Sequence, residues 1–189
     1  MSKVTIAGDV NGTGVFTIAA PNGNTNRTLT LPDEAGTILT TATAGVPIGG
    51  PAFSVYKTSQ QSITSTVFTK ALFDTIEFDT NSCFASSTFT PTVAGYYQIN
   101  GMCYLTVGSG TSTSLTASIY KNAVRLKQGT FSNAAASEYQ STVNHVVYCN
   151  GSTDYIEIYA RVNGTSPSIY GDVSGRLYTY FSGAMVRSA

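Results

Sequence analysis

Charge is what this sequence has least of. Lys, Arg, Asp and Glu together make up 11% of its 189 residues, and ten basic side chains balance ten acidic ones. A chain this neutral carries no electrostatic footprint for nucleic acid or for an anionic membrane surface. Tryptophan is absent, and histidine occurs once, at His145. The three cysteines, Cys83, Cys103 and Cys149, are widely spaced and odd in number. That excludes a closed disulfide framework and a zinc-ligand pattern, so they read as reduced thiols packed as small apolar groups. No apolar run is long enough to cross a bilayer. The opening Met1-Ser-Lys-Val-Thr-Ile6 lacks the apolar core of a signal peptide. The expectation is a protein made in a cytoplasm, with no membrane insertion. A sustained helical period is missing as well.

What is present favours strands. Thr, Ser, Gly and Asn abound, with 12 Tyr and 9 Phe, and β-branched and aromatic residues fit a pleated, half-buried surface. The apolar content is also enough to build a core, which argues against disorder. Asn-x-Ser/Thr runs occur at Asn11, Asn26, Asn150 and Asn163. At Asn11, Asn150 and Asn163 the next residue is Gly, so these read as turns rather than glycosylation sites.

Residues 1–45 form one compositional block. Val4-Thr-Ile6, Gly14-Val-Phe-Thr-Ile18, Arg27-Thr-Leu-Thr-Leu31 and Gly36-Thr-Ile-Leu-Thr40 are short alternating runs separated by Gly/Asn/Pro turn clusters. The block is too small to bury a core alone. Its run Ala20-Pro21-Asn22, then Thr28-Leu-Thr-Leu-Pro-Asp33, then Gly36-Thr37, resembles a module of bacteriophage tail-fibre and related virion proteins. Two prolines and three glycines between Thr41 and Pro51 break regular pairing. This places a linker at 46–51 and a head at 52–189.

The head reads as strand after strand: Ala52–Tyr56, a bent passage from Val67 to Phe78, Phe84–Thr90, Tyr96–Val107, Ser114–Tyr120, Val143–Cys149, Asp154–Val162 and Arg176–Val186. The fold class is all-β, a two-sheet jelly-roll sandwich preceded by a small β-rich N-terminal module. In the long strand, Tyr97, Ile99, Gly101, Cys103 and Leu105 form a core face. The opposite face holds Tyr96, Gln98, Asn100, Met102 and Tyr104. The last strand sets Leu177, Thr179, Phe181, Gly183 and Met185 against Tyr178, Tyr180, Ser182, Ala184 and Val186. A face meant for water should be polar, whereas tyrosine and methionine are favoured at interfaces. Tyr96, Met102, Tyr104, Tyr178 and Tyr180 are therefore the candidate subunit-interface residues. The alternative is a strand buried on both sides within one chain, for which a two-sheet domain has no third layer.

Four runs appear in order: Ala52-Phe-Ser-Val-Tyr-Lys57, Phe89-Thr-Pro-Thr-Val-Ala-Gly-Tyr-Tyr97, Lys121-Asn122 and Tyr180-Phe-Ser-Gly-Ala-Met-Val186. Over residues 52–187 they resemble the globular head of the complement one-q family, within the tumour necrosis factor superfamily. The resemblance implies a jelly roll and a homotrimer. The family has Asn-Gly after its hairpin Lys, where this chain has Asn122-Ala123. Its Gly-Asp appears as Gly151-Ser-Thr-Asp154. No collagen-like repeat precedes Ala52.

No catalytic constellation emerges. A triad would need His145 beside a nucleophile and an orienting acid, and its strand offers neither. Asp74, Glu77 and Asp79 are close in sequence, but Asp74 and Glu77 would point to opposite faces of a strand. They read as surface charge rather than a glycosidase pair. Some relatives bind calcium, and Asp79, Asp154 and Asp172 lie near turns, without EF-hand spacing. No cofactor is expected. Gly108-Ser-Gly110 reads as a hairpin turn. The candidate recognition loops are Gly108–Thr113, Thr130–Glu138 and Asn163–Ser168, since binding usually resides in loops on a rigid scaffold. Together these point to a trimeric, non-enzymatic phage virion protein. Residues 1–45 would join other virion proteins, and the head would bind a host-surface glycan or protein. A capsid- or neck-decorating fibre is the alternative, and a polysaccharide-degrading enzyme a third reading.

Overall fold

The computed structural model describes residues 10–15, 17, 23, 24, 26, 28, 50–112, 114–132, 135–171 and 175–189. The strands and turns expected in residues 1–45, and most of the 46–51 linker, lie outside these described residues. The chain divides into two compact units, Met1–Thr37 and Ile38–Ala189, and every strand below belongs to the second.

The strands are β1 (Ala52–Tyr56), β2 (Gln61–Ser62), β3 (Thr69–Lys70), β4 (Thr75–Asp79), β5 (Phe84–Ala85), β6 (Thr88–Phe89), β7 (Ala94–Thr106), β8 (Leu115–Lys121), β9 (Val124–Ser132), β10 (Glu138–Asn150), β11 (Ile156–Val162), β12 (Ser168–Tyr170) and β13 (Tyr180–Ser188). They form two antiparallel sheets. The first runs β2-β12-β7-β13-β1-β4, with β10 on the other edge of β7; the second runs β5-β6-β11-β8-β9, with β3 on β11. β7 is the axis of the first sheet. β10 pairs with it along its full length, while β13 covers Gly95–Met102 and β12 covers Tyr104–Thr106 on the opposite edge. This is the expected two-sheet jelly roll.

The alternation of β7 holds residue by residue. Tyr97, Ile99, Cys103 and Leu105 are fully buried, and the intervening side chains face away from the core. Aromatic rings fill the middle of the sandwich. Phe53 stacks on Phe89 at 4.3 Å and meets the edge of Phe181 at 4.8 Å. Tyr97 packs edge-on to Phe89, and its phenol donates to the Val93 carbonyl at 2.6 Å, so the burial strands no polar group. The sheets close because two core positions lack a side chain. A methyl group at Gly101 would stand 2.7 Å from Ile158 Cδ1, and one at Gly183 would stand 2.8 Å from Phe53 Cε1. Cys83, Cys103 and Cys149 are free and buried. Burial pushes the Cys103 thiol up to about 12, so it packs as a neutral apolar group.

Several expected elements are different in the structure. Phe84–Thr90 is not one strand but a tight hairpin of β5 and β6. It turns at Ser86 and Ser87, both in the left-handed region (φ 50° and 58°). β9 was not expected, and the Thr130–Glu138 loop loses its ends to it and to β10. The Gly108–Gly110 segment is not a hairpin turn, because β7 and β8 lie in different sheets and the chain crosses between them there. The last strand begins at Tyr180 rather than Arg176. The Thr179 hydroxyl accepts from the Tyr104 backbone N–H at 3.0 Å and donates to the Tyr170 carbonyl at 2.6 Å. A side chain thus replaces the ladder, and Leu177, expected on the core face, is exposed.

Candidate functional site

The outer face of the first sheet gathers all five candidate interface residues. Strand register sets Tyr56, Tyr180, Met102 and Thr142 in one row across β1, β13, β7 and β10. Tyr96 lies toward one end of β7, 44% exposed, with its ring 5.4 Å from that of Tyr148. Tyr104 lies toward the other end, 5.0 Å from Tyr178 and 5.7 Å from Tyr170. Between them the face carries Gln98, Asn100, Asn144, Ser182, Ser54, Ala184 and Val146, with Val146 45% exposed. Among the described residues facing outward from β1, β7, β10, β12 and β13, the charged ones are Glu138 and Arg187, both near strand ends, and the Glu77 carboxylate of the edge strand β4 reaches the same face, accepting from Ser54.

The outer face of the second sheet is the opposite case. Lys70 pairs with Glu157 at 2.7 Å, and Thr88 donates to the same carboxylate. Arg125 and Arg161 flank the Phe68 ring at 5.0 and 6.0 Å. Tyr120 and Tyr159 stack at 4.0 Å between these charged groups. The charged groups at this surface are paired or lie along aromatic rings. Beneath them the outward-facing Thr116, Ser118 and Glu157 are buried, Ser118 Oγ without a hydrogen-bond partner among the described residues.

Sequence reasoning missed Tyr148, Val146 and Tyr170 on the first face. The signal for Tyr148 and Val146 was the alternation of Val143–Cys149, read for its core side only. Tyr170 had no signal, because β12 is three residues long.

The three candidate recognition loops converge at one end of the sandwich. Ser109 bridges Thr165, and Ser112 bridges Ala136. Gly108 N–H donates to the Thr165 carbonyl at 2.9 Å, and Ser112 and Ala136 exchange bonds of 2.8 and 3.0 Å. Arg161 ties in the neighbouring turn, donating to the Thr66 carbonyl and to Ser114 Oγ. Thr113, Asn133 and Ala134 lie outside the described residues. The backbone bonds make this end a braced platform rather than three independent loops.

The carboxylates weighed for catalysis or calcium do not come together. Asp74 accepts from the backbone and hydroxyl groups of both Thr58 and Ser59 at 2.7–3.1 Å. Desolvation pushes its carboxyl up, but the Ser59 and Thr58 bonds outweigh that and hold it well below the usual carboxylate range. Glu77 accepts from Ser54, and Asp79 accepts from the Cys83 and Phe84 N–H groups. These three are therefore anchors between segments rather than free surface charge. Asp154 pairs with Lys121 at 2.8 Å and accepts from Asn122 at 2.7 Å. Asp172 lies outside the described residues. His145 sits on β10 opposite Ile99, and burial, then Lys127, lowers its pKa. Among the described residues no three His, Cys, Asp or Glu side chains gather as a metal site would require.

No family model matches the chain, and no curated protein matches it. Solved structures do. The globular domain of zebrafish complement 1qA protein is 16% identical, with a TM-score of 0.55 over 74% of this chain and 99% of that one. The tumour necrosis factor Eiger from S. frugiperda is 8% identical, with a TM-score of 0.52 over 74% and 95%. Murine APRIL is 8% identical, with a TM-score of 0.51 over 72% and 98%. At these identities the likeness is one of fold, and the second unit of this chain has the jelly-roll fold of the complement 1q and tumour necrosis factor heads.

Proposed function

We propose that this chain is the subunit of a homotrimeric, non-enzymatic binding head that associates through the outer face of its first sheet. One observation carries the reading: among the described residues the centre of that face holds no charged side chain, while the opposite outer face carries the Lys70–Glu157 ion pair together with Arg125 and Arg161. Exposed sheets put charge toward water, and the cores of interfaces are depleted of it and enriched in tyrosine and methionine. Tyr96, Met102 and Tyr180 lie on the closing surface, with Tyr104 and Tyr178 at its margin. The complement and tumour necrosis factor folds to which the head is similar support the same assembly. The setting we propose is a bacteriophage fibre or appendage, joined to the particle through residues 1–45. It rests on the likeness of residues 20–37 to virion modules. The head is then the exposed element that meets a host surface, with three copies adding avidity.

Sedimentation of the purified chain tests the assembly. The expected mass is three times the 19.9 kDa chain, and Tyr180→Asp should dissociate it, since an unpaired carboxylate buried at an interface costs about 2–5 kcal/mol. A monomer at micromolar concentration, or a Tyr180→Asp chain that stays trimeric, refutes the assignment of this face.

A further inference from the structure

A depression of about 460 Å³ lies where β7 runs into the loop after it. Its lining includes Tyr104, Tyr170, Tyr178, Gln60, Glu138 and Gly108. It stands roughly 27 Å along β7 from Tyr96, at the margin of the proposed subunit face and next to the braced loop platform. The volume falls within the usual range for small-molecule sites.

The chemistry of the walls selects the ligand. Three tyrosine rings meet there, tilted 43° (Tyr104 with Tyr178) and 75° (Tyr104 with Tyr170) to one another. They are partly exposed, so the hollow is walled by ring surface as well as by phenol groups. Hydrogen-bonding groups sit among the rings. The exposed Glu138 carboxylate accepts from the Tyr104 phenol and keeps acceptor capacity for a ligand. Gln60 donates one end of its amide to Ser168 Oγ at 2.7 Å, leaving the other end available. The hydrogen bond to Glu138, helped by burial, pushes the Tyr104 phenol up to about 12, so it stays a neutral donor.

A purely apolar ligand would strand the carboxylate and amide. An organic cation would find one carboxylate there, Glu138, already engaged by the Tyr104 phenol, and a positive charge beside the rim, since the Arg176 guanidinium donates to the Tyr178 phenol oxygen at 3.3 Å. A sugar ring has what the walls ask for: an apolar C–H face for the aromatic rings and hydroxyls for Glu138, Gln60 and the phenols.

We propose that this depression binds a neutral saccharide, one or two hexopyranose rings of an exposed glycan. The inference deepens the binding-head reading and rests on it for its setting.

Saturation-transfer NMR and calorimetry on the full chain test it. The probes are methyl β-galactoside, methyl α-glucoside and N-acetylglucosamine, with tetramethylammonium as the cation arm. At least one sugar should show ring-proton transfer and weak affinity. Tyr170→Ala should weaken it about tenfold, equivalent to about 1.4 kcal/mol. Glu138→Gln keeps the shape of the site and should also weaken binding, which covers the case in which Tyr170→Ala does not fold. Transfer to none of the sugars, preference for tetramethylammonium, or full affinity in Glu138→Gln overturns the site. Sedimentation of the same samples separates the two readings. A trimer that binds no sugar refutes this site alone, and a monomer that binds sugar refutes the assembly alone.

Discussion

Replacing Ala123 by Gly should stabilise the head. Asn122 and Ala123 form the two-residue loop between β8 and β9, with Lys121 opposite Val124. Their φ angles are 52° and 62°, the mirror-image turn that matches the right-handed twist of paired strands. Asn122 is suited to it. Its side chain donates to Asp154 at 2.7 Å and accepts from the Tyr155 N–H at 2.9 Å. Ala123 has no such compensation, and a left-handed conformation costs a residue with a Cβ roughly 1–2 kcal/mol. Gly removes that cost but frees the unfolded chain, which takes back about 0.4–1 kcal/mol. The net gain is about 1 kcal/mol, a rise in Tm of roughly 2–4 °C for a chain of this size. Urea unfolding at matched protein concentration measures it, with the slope unchanged and the midpoint raised. Asn122→Ala is the counter-experiment and should destabilise the head. A Gly variant with unchanged or lower stability would mean that Ala123 does not occupy the left-handed region, and the turn assignment would fall with it.

Two buried or anchored charges give pH-dependent expectations. Lys57 is buried, donates to the Leu72 carbonyl at 2.8 Å, and has its pKa lowered chiefly by desolvation. The unfolded chain therefore holds this proton more tightly than the folded one, and the cost of the charge fades as pH rises toward the ordinary lysine value of about 10.4. Lys57→Met should raise stability by about 1 kcal/mol near neutrality, with the gain over wild type shrinking as pH rises; a constant difference refutes the argument. Asp74 has the reverse sign. Its contribution is present above the unfolded value of about 3.9 and is lost as pH falls through the depressed folded one. Asp74→Asn should cost about 1 kcal/mol at pH 7, discounted for exposure, and the gap to wild type should narrow in acid unfolding measured below about pH 4.

What was legible from the residues follows burial. β7 could be read because it has one dry face and one half-dry face, so a period of two is written into Tyr96–Leu105. β9 could not. Its Val124-Arg-Leu-Lys127 run does alternate, but it is short and all of its residues through Gln128 are exposed, Val124 at 69%, so the alternation marks no buried face. It is a strand because β8 supplies a ladder and because Gly129 lets the Thr142 carbonyl approach to where a Cβ would stand at 2.2 Å. The β5–β6 hairpin was hidden for a local reason. Serine is not a residue that announces positive φ, and Ser86 and Ser87 take it because β6 is held against β11 and β5 against β6. Thr179 was hidden because its hydroxyl acts as a backbone substitute, a role that no pattern of hydrophobicity encodes.

The same distinction separates the two surfaces in question. The uncharged face could be found from two strands, because interface character is a property of every second residue along each. The tyrosine cup could not, since Tyr170 and Tyr104 are far apart in the chain and meet only because β12 pairs with the end of β7 that β13 leaves open. That opening exists because Thr179 ends the β13 ladder at Tyr180, which turns the chain so that Tyr178 packs on Tyr104. One hydroxyl thus links the early end of the last strand to the aromatic hollow. The subunit face belongs to the regular part of the sheet, and the proposed ligand site belongs to the place where its regularity stops.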